Sequence, residues 1–466
     1  MVNKFLKNKI IFPEENAFIN LIFWQKIFVF FVFVSLIYLF YSHFFLKTYT
    51  LFYFTSSLYF IICLHKLILV FLGIMRNKEI KVSEIEILSN IDWPIYSILL
   101  PIYKEKGIFK QLYMAIESLD YPKDKLDIIL LIEEDDIEIK EYLKNFNLPS
   151  YWRIIEIPDF QPKTKGKALN FGLYEAKGEF IVIYDAEDIP EKNQLKKAVL
   201  GFRKVLENVV CLQSKLNYYN PNQNLLTKWF TAEYSSWFDL YLPGIDSIEA
   251  PIPLGGTSNH FKTEILKKLK GWDPFNVTED CDLGIRIFKN GYRTKVLDTT
   301  TWEEANSELK NWIKQRSRWV KGYIQTYFVH IRNPFKLIKK MGMKNFIHFN
   351  LIVGGNFFVL CFNPVAWVFL FNWIIFSHKI YFPNIFFLII TPTLLFGNVV
   401  FVIINILGVL KRKWYNLIIP AIFIPLYWVL MSIGALKGLF QFFKKPHYWE
   451  KTQHALFLQK IEESSN

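Results

Sequence analysis

Long apolar runs at both ends of the chain constrain its fold more than any other feature. Leu21 to Leu46 is almost continuously apolar, and Leu51 to Leu72 forms a second such run. At about 1.5 Å per helical residue, each is long enough to cross a hydrocarbon core of about 30 Å. A cleaved signal peptide does not fit the first run, which is too long, starts late and lacks a small-residue cleavage site. The pair predicts a helical hairpin with a short external loop around Ser42 to Thr50. Lys4, Lys7 and Lys9 precede the first run, and Arg332, Lys336, Lys339, Lys340 and Lys344 precede the later ones. These read as cytoplasmic, headgroup-facing anchors. Met1 and the chain after Arg76 are therefore expected in the cytoplasm. Three further apolar stretches follow, about Phe346–Phe376, Pro383–Leu410 and Trp414–Phe443, divided by Ser377-His378-Lys379 and Lys411-Arg412-Lys413. Each exceeds what one span needs, so tilt, kinks at Pro364, Pro420 and Pro425, or interfacial segments are expected. Three spans would leave the tail Lys444-Lys445-Pro446-His447-Tyr448-Trp449 outside; a fourth crossing or a re-entrant piece would return it. The sequence is compatible with both.

The apolar excess is confined to these ends. The chain of 466 residues is 52% hydrophobic and 18% aromatic, against roughly 45–50% apolar in soluble domains. That distribution predicts one soluble domain of roughly 240 residues between two groups of spans. From about Asp92 to His330, short β-rich runs alternate with helical ones. Tyr96–Leu100 runs into Pro101, Leu126–Ile132 and Phe180–Tyr184 are further strand candidates, and Phe109–Leu119 and Lys167–Glu175 read as amphipathic helices. The expected fold is α/β, a doubly wound and mostly parallel sheet flanked by transmembrane helices. Ligands of such sheets bind at the carboxyl ends of the strands. The net charge of +13 collects beside the apolar runs, which points to membrane lipids as partners; no nucleic-acid motif is visible and no such partner is expected. Cys63, Cys211, Cys281 and Cys361 form no C-x-x-C pair, so buried single thiols are expected rather than disulfides or a zinc site.

Several polar segments fall where a ligand would bind. Asp185-Ala186-Glu187-Asp188 follows the strand ending at Tyr184. Carboxylates there suit Mg²⁺ or Mn²⁺, which take one or two carboxylates with phosphate oxygens and water; an acidic surface turn before Pro190 is the other reading. Lys163 to Asn170 puts three lysines at the mouth of a helix starting near Lys167, which attracts phosphate or forms a solvated basic loop. Thr278-Glu279-Asp280 precedes a helical stretch, Asp282–Lys289. Thr278 as a cap, with acids in the first turn, is the stronger local reading; a carboxylate that accepts a hydroxyl proton is the functional one. Gln315-Arg316-Ser317-Arg318-Trp319 lies in the helical, basic segment Trp312–Lys321. Arg318 can fork onto phosphate and Trp319 offers a flat face to a sugar ring, while an amphipathic helix on lipid headgroups explains the same residues. Glu133-Glu134-Asp135-Asp136 ends the second strand, to hydrogen-bond a base or to form a solvated acidic loop. Leu254 to His260 is a polar turn whose Gly255 and Gly256 allow close approach to a sugar, with His260 expected to be structural.

Taken in order, Pro101-Ile102-Tyr103-Lys104-Glu105, Glu133-Glu134, Lys165–Asn170, Asp185–Asp188, Thr278–Asp280 and Gln315–Trp319 resemble the motifs of the family 2 inverting glycosyltransferases. The likeness is greatest to the membrane-embedded processive branch of cellulose, hyaluronan and chitin synthases. It covers residues ~90–330 through motifs and reaches the flanking spans as architecture. The resemblance implies that Tyr103 and Glu105 line a uridine pocket, with Glu133 or Glu134 in place of the family's uracil-binding Asp. It implies that Lys165 contacts the donor diphosphate, that Asp185 and Glu187 hold the metal with Asp188 sharing or taking that role, and that Asp280 is the catalytic base. Gly256, Thr278 and Glu279 would border the donor and acceptor sugars, with Asp185 also at the donor, and Gln315, Arg318 and Trp319 would form the acceptor and diphosphate platform. The tail Lys445–Thr452 looks like that of a less characterised bacterial branch, and no regulatory domain or cyclic-dinucleotide control is expected after it.

The expected organisation is a cytoplasmic N-terminal segment (1–20), two transmembrane helices (21–72), a cytoplasmic transferase domain (90–330), a basic interfacial segment (331–345), a C-terminal bundle of three or four crossings (346–443) and a basic tail (444–466). The expected activity is inverting, metal-dependent transfer of a hexose or N-acetylhexosamine from a UDP-sugar to a polysaccharide growing at the inner or plasma membrane. The acceptor is a glycan or a lipid-linked glycan, and export partner proteins are expected. Two other readings are single-sugar transfer to a polyprenyl phosphate and a non-catalytic membrane receptor or scaffold.

Overall fold

A computed structural model describes residues 15–46, 50–88, 91–376 and 384–452. Lys4, Lys7 and Lys9, the 47–49 part of the external loop, Ser377–Lys379 and the tail after Thr452 lie outside the described residues. The segment between the apolar ends is built on an eight-stranded sheet in the order β3-β2-β1-β4-β7-β6-β8-β5. Its strands are β1 (Tyr96–Ile102), β2 (Leu126–Glu133), β3 (Trp152–Ile157), β4 (Phe180–Ile183), β5 (Ile189–Pro190), β6 (Val209–Tyr218), β7 (Asn259–Lys262) and β8 (Arg293–Glu303). β1, β2, β3 and β4 pair in parallel, as do β6 and β8. β7 runs against both β4 and β6, and β5 against β8. All strands except β5 and β7 therefore point the same way, so the mostly parallel expectation holds with a mixed second half. β2, Leu-Asp-Ile-Ile-Leu-Leu-Ile-Glu, is buried along its whole length, the near-continuous apolar pattern of a strand covered on both faces. Its one interior acid, Asp127, is answered by Arg153 at 2.6 Å and Ser97 Oγ at 2.6 Å.

Helices on the two faces complete the layers. α1 (Phe23–Leu46) and α2 (Thr50–Arg76) precede the sheet, α3 (Phe109–Glu117) follows β1, and α4 (Lys165–Glu175) leads into β4. After α5 (Gln194–Lys204) and β6 come α6 (Leu225–Ser236), a π turn (Trp237–Tyr241) and α7 (Leu242–Ser247). α8 (Glu279–Lys289) precedes β8, and α9 (Leu309–His330) leaves it. α10 (Pro334–Phe349) carries the expected basic segment and bends at Gly342, where φ is 78°. α11 (Gly355–Phe376), α12 (Asn384–Lys411) and α13 (Ile424–Lys444) follow. Among the described residues, Tyr53–Arg76, Pro334–Pro364, Thr393–Lys411 and Ile424–Lys444 are long and apolar enough to cross a membrane, and Phe23–Ser35 is a shorter apolar helix. Pro364 lies inside α11, whereas Pro425 sits in the first turn of α13, where its missing N–H costs no intrahelical hydrogen bond.

The last helix packs along α9. Gly438 has no side chain because a Cβ there would lie 2.6 Å from Ser317 O on α9, and this small-residue seam with Gly434 brings the two helices together. Just before α13, Trp229 Nε1 donates to Pro420 O at 2.9 Å and Asn416 Nδ2 to Asn222 Oδ1 at 2.7 Å. Just after it, Gln325 Nε2 donates to Pro446 O at 3.0 Å and Lys321 Nζ to Tyr448 O at 2.5 Å. Its outward residues Leu426, Val429, Ile433, Leu436, Phe440 and Phe443 are exposed and recur every three or four positions, one apolar stripe along a helix.

Candidate active site

The carboxyl ends of β1, β2, β4, β6 and β8 open onto one cavity of about 280 Å³. Tyr103 and Glu105 reach it after β1, Glu133 from the last position of β2, and Asp185 and Glu187 from the turn after β4. Lys165 stands at the start of α4, Gly256 in the loop before β7, and Thr278, Glu279 and Asp280 where α8 begins. Gln315, Arg318 and Trp319 face it from α9. Residues spread over more than two hundred positions are thus brought to one space at the strand ends.

Lys165 joins the two halves of this space. Its Nζ pairs with Asp185 Oδ1 and donates to Gly256 O at 2.7 Å. Burial alone would lower its pKa, but Asp185, Glu279 and Asp280 hold it above the usual lysine value. On the other side of Gly256 lies Asp280, whose Oδ2 is 3.4 Å from where a glycine Cβ would stand. Asp280 Oδ1 accepts from Cys281 N at 2.8 Å. Burial raises the Asp280 pKa against the opposing pull of that amide, Lys165 and Arg318. Burial and then Asp280 push Glu279 up to about 7. Gln315 Oε1 and Arg318 Nε are buried without hydrogen-bond partners, so the platform side chains have unspent capacity at the cavity wall. The Arg318 guanidinium lies 5.6 Å from the centre of the Trp449 ring, which brings the tail over the same space.

The structure redistributes several of the expected residues. Glu133 lines the cavity but is spent on Lys167, 2.8 Å away, with both side chains buried. Glu134 is turned outward and accepts from Asp159 N at 3.0 Å, so it is not part of the cavity wall. Asp188 is also not on that wall: it is wholly buried, its Oδ2 accepts from Asp185 N at 2.7 Å and from Thr257 Oγ1. The acidic turn uses this side chain to close on itself. Thr278 occupies the position before α8, yet its side chain makes no capping bond; its N–H and hydroxyl go to Asn276 Oδ1 at 3.0 and 3.4 Å. His260 is structural as expected, sealed between Tyr96 OH at 2.7 Å and Ser214 Oγ at 3.2 Å, with burial lowering its pKa to about 3.

Two residues of the site were given no role of their own by the sequence. Glu303, the last residue of β8, faces the cavity, where burial and then Asp188, Glu187 and Asp185 raise its pKa well above normal. Arg316 is directed away from the platform and anchors it. Its Nη1 donates to Glu233 Oε1 at 3.0 Å and its Nη2 to Tyr427 OH at 2.6 Å. Its planar group lies 4.3 Å from the Phe230 ring and 4.6 Å from the Trp319 ring, so one cation ties α9 to α6 and α13 and supports Trp319. A divalent cation fits this donor set in one way. Among the described residues no three metal-type side chains form a cage, but Asp185 and Glu187 share the wall. Two carboxylates suit an ion completed by substrate oxygens and water.

Comparisons with known proteins give the family of the chain. The model of Glycosyl transferase family group 2 matches residues 180–430. The chain belongs to the family 2 glycosyltransferases, and its curated relatives include cellulose synthases. It is 30% identical over 261 residues to the probable glycosyltransferase YdaM of Bacillus subtilis (strain 168), covering 53% of this chain and 59% of that protein. It is 27% identical over 249 residues to Cellulose synthase 2 of Novacetimonas hansenii, covering 52% of this chain and 15% of that one. The chain thus spans less than two thirds of the length of these relatives. A solved structure, the mannosyltransferase PcManGT from Pyrobaculum calidifontis in complex with GDP-Man and Mn²⁺, is similar with a TM-score of 0.47 and 16% identity, covering 83% of this chain and 99% of that one.

Proposed function

We propose that this glycosyltransferase moves a hexose or N-acetylhexosamine from a UDP-sugar, with inversion, onto a polysaccharide growing at the membrane. One observation carries the reading. The cavity bordered by Lys165, Asp185 and Asp280 continues past Trp319 to Lys66 on α2, Asn356 on α11, Asn405 on α12 and Met431 on α13. A donor entering over the strand ends and an acceptor held between membrane helices would meet at Asp280.

Each residue then has a task. The acceptor hydroxyl attacks the anomeric carbon as the bond to the UDP β-phosphate oxygen breaks; the proton passes to Asp280 and the bonding pair leaves with UDP. Burial that raises the Asp280 pKa strengthens it as a base. Lys165 and Arg318 hold the diphosphate, Tyr103 and Glu105 border the nucleoside, and Trp319 offers its face to the acceptor sugar. A divalent cation bound by Asp185 and Glu187 would offset charge on the departing UDP. The same reading proposes a topology. The segments flanking α13 are hydrogen-bonded to α6 and α9, which supports α13 lying along the membrane face while α1, α2, α11 and α12 cross. The tail then remains with the domain on the cytoplasmic side.

The protein in nanodiscs, offered a panel of UDP-sugars with Mg²⁺ or Mn²⁺, is expected to give long glycans by mass spectrometry and none in EDTA. A product limited to one sugar on a polyprenyl phosphate would replace the polymer assignment, and no transfer from any nucleotide sugar would refute the proposal.

A further inference from the structure

Lys66 is a charged residue of the cavity to which sugar transfer to a neutral polymer gives no role. It lies in α2, within the apolar segment Tyr53–Arg76, where an ionisable side chain is costly and marks a functional pathway. Its ammonium sits 5.2 Å from the Tyr241 ring centre, 5.2 Å from Phe401 and 5.6 Å from Trp428. Ring faces attract the charge but leave its three N–H donors without a lone pair to meet. Among the described residues Lys66 makes no hydrogen bond or ion pair. Glu233, the acid on the same wall, is already taken by Arg316 and by Tyr427 OH at 2.6 Å. Asn356 faces both this cavity and a small adjoining one beside Lys66.

The location separates this cation from the donor. Its three ring partners come from the π turn, α12 and α13, not from the loops that carry Asp185, Glu187 and Asp280. Acids prevail at the donor end, where Glu187, Glu279, Asp280 and Glu303 share the wall with Arg318. At the membrane end the excess charge is positive.

We infer that Lys66 makes the membrane end of the cavity a receptor for an anionic group carried by the acceptor, a phosphate or a carboxylate. The inference rests on the reading of this cavity as the acceptor path and adds the acceptor's charge to it. An anion there meets the free ammonium donors and the amide of Asn356, while the sugar to be extended reaches Asp280. The anion has two possible sources, the diphosphate of a lipid-linked glycan and the carboxylate of a uronate-containing chain.

The test uses the full-length protein in nanodiscs of zwitterionic phosphatidylcholine and three acceptors of equal sugar length: a neutral oligosaccharide, a uronate-containing oligosaccharide and a short-chain polyprenyl diphosphate oligosaccharide. The wild-type protein is expected to show a KM about ten- to a hundredfold lower for one anionic acceptor than for the neutral one, the range of a charge-assisted hydrogen bond. Which of the two is preferred identifies the source. K66Q is expected to lose that preference and K66R to keep most of it, with UDP binding by calorimetry reporting that each variant is folded. Equal KM values for all three acceptors in the wild-type protein would overturn the inference, whatever the variants do. So would an undiminished preference in K66Q. Absence of transfer to any acceptor in the wild-type protein removes the transferase reading itself, and this inference with it.

Discussion

Gly322→Ala is a one-carbon change on α9, outside the catalytic residues, that tests how Asp280 is placed. The start of α8 packs against α9 at this glycine, and an added Cβ would come within 2.7 Å of Thr278 Cβ and closer still to both branches of that side chain. Ordinary carbon contacts lie near 3.5–4.0 Å, so the helices must separate by about 1 Å. Thr278 has little room to yield, since its hydroxyl and N–H are both held by Asn276. Asp280 lies two residues further on and moves with it. Overpacking of this kind costs about 1–3 kcal/mol of stability, and a displacement of ~1 Å between reacting groups costs about a hundredfold in rate. Gly322→Ala is therefore expected to lower kcat about a hundredfold while UDP affinity, which the proposed function assigns to Tyr103, Glu105 and Lys165, stays within about threefold. Radiolabelled sugar incorporation and calorimetry with UDP measure the two quantities. Gly107→Ala, whose Cβ meets nothing within 4 Å, is the control and should match the wild type. A Gly322→Ala protein with wild-type kcat would refute the claim that close α8–α9 contact positions the base.

Two other perturbations address the supports of the site. Arg316→Ala leaves the half-buried Glu233 with Tyr427 OH but without its guanidinium, which should cost about 1–3 kcal/mol and lower the thermal midpoint in detergent; an unchanged midpoint would show that the pair does not hold α9 to α6. Burial and then Asp280 push the Glu279 carboxyl up to about 7 in the folded protein, from an ordinary value of 4.5. The folded state therefore holds this proton more tightly, and the stability this contributes is lost as pH rises from about 4.5 through 7. Glu279→Gln should consequently be stabilised relative to wild type at pH 8, by at most about 3 kcal/mol, and nearly equal to it at pH 4.5. Melting both proteins in EDTA at the two pH values checks this, and a gain confined to the lower pH would contradict it.

The reach of sequence reasoning differed from element to element. β1, β2 and β4 were legible because they are nearly continuous apolar runs, and α2 and α12 because each is a long, predominantly apolar helix. β6 and β8 were not recognised. Their buried faces hold Gln213, Lys215, Asn217 and Thr301, and such strands fold only because distant partners satisfy them, as Asp298 does for Lys215 at 2.7 Å. The candidate site shows the same division. Ordered motifs placed Asp185, Lys165, Asp280 and Arg318 at one cavity, but no local pattern tells which carboxylate of an acidic turn faces outward. Asp188 is drawn in by Thr257, 69 positions away, and Glu134 is drawn out by the backbone of Asp159. The sequence left the side of the tail open because α13 has the composition of a span, while the segments flanking it are hydrogen-bonded to α6 and α9.

The central claim is that Asp280 takes the acceptor proton in a cavity where Lys165 and Asp185 hold the donor. Asp280→Asn keeps the shape and removes the base. Incorporation of radiolabel from the preferred UDP-sugar into glycan, measured beside UDP affinity in the same nanodiscs, separates chemistry from binding. The account predicts that incorporation falls by at least about a thousandfold while UDP binds within about threefold of wild type. Asp280→Asn protein that incorporates sugar at the wild-type rate would contradict it.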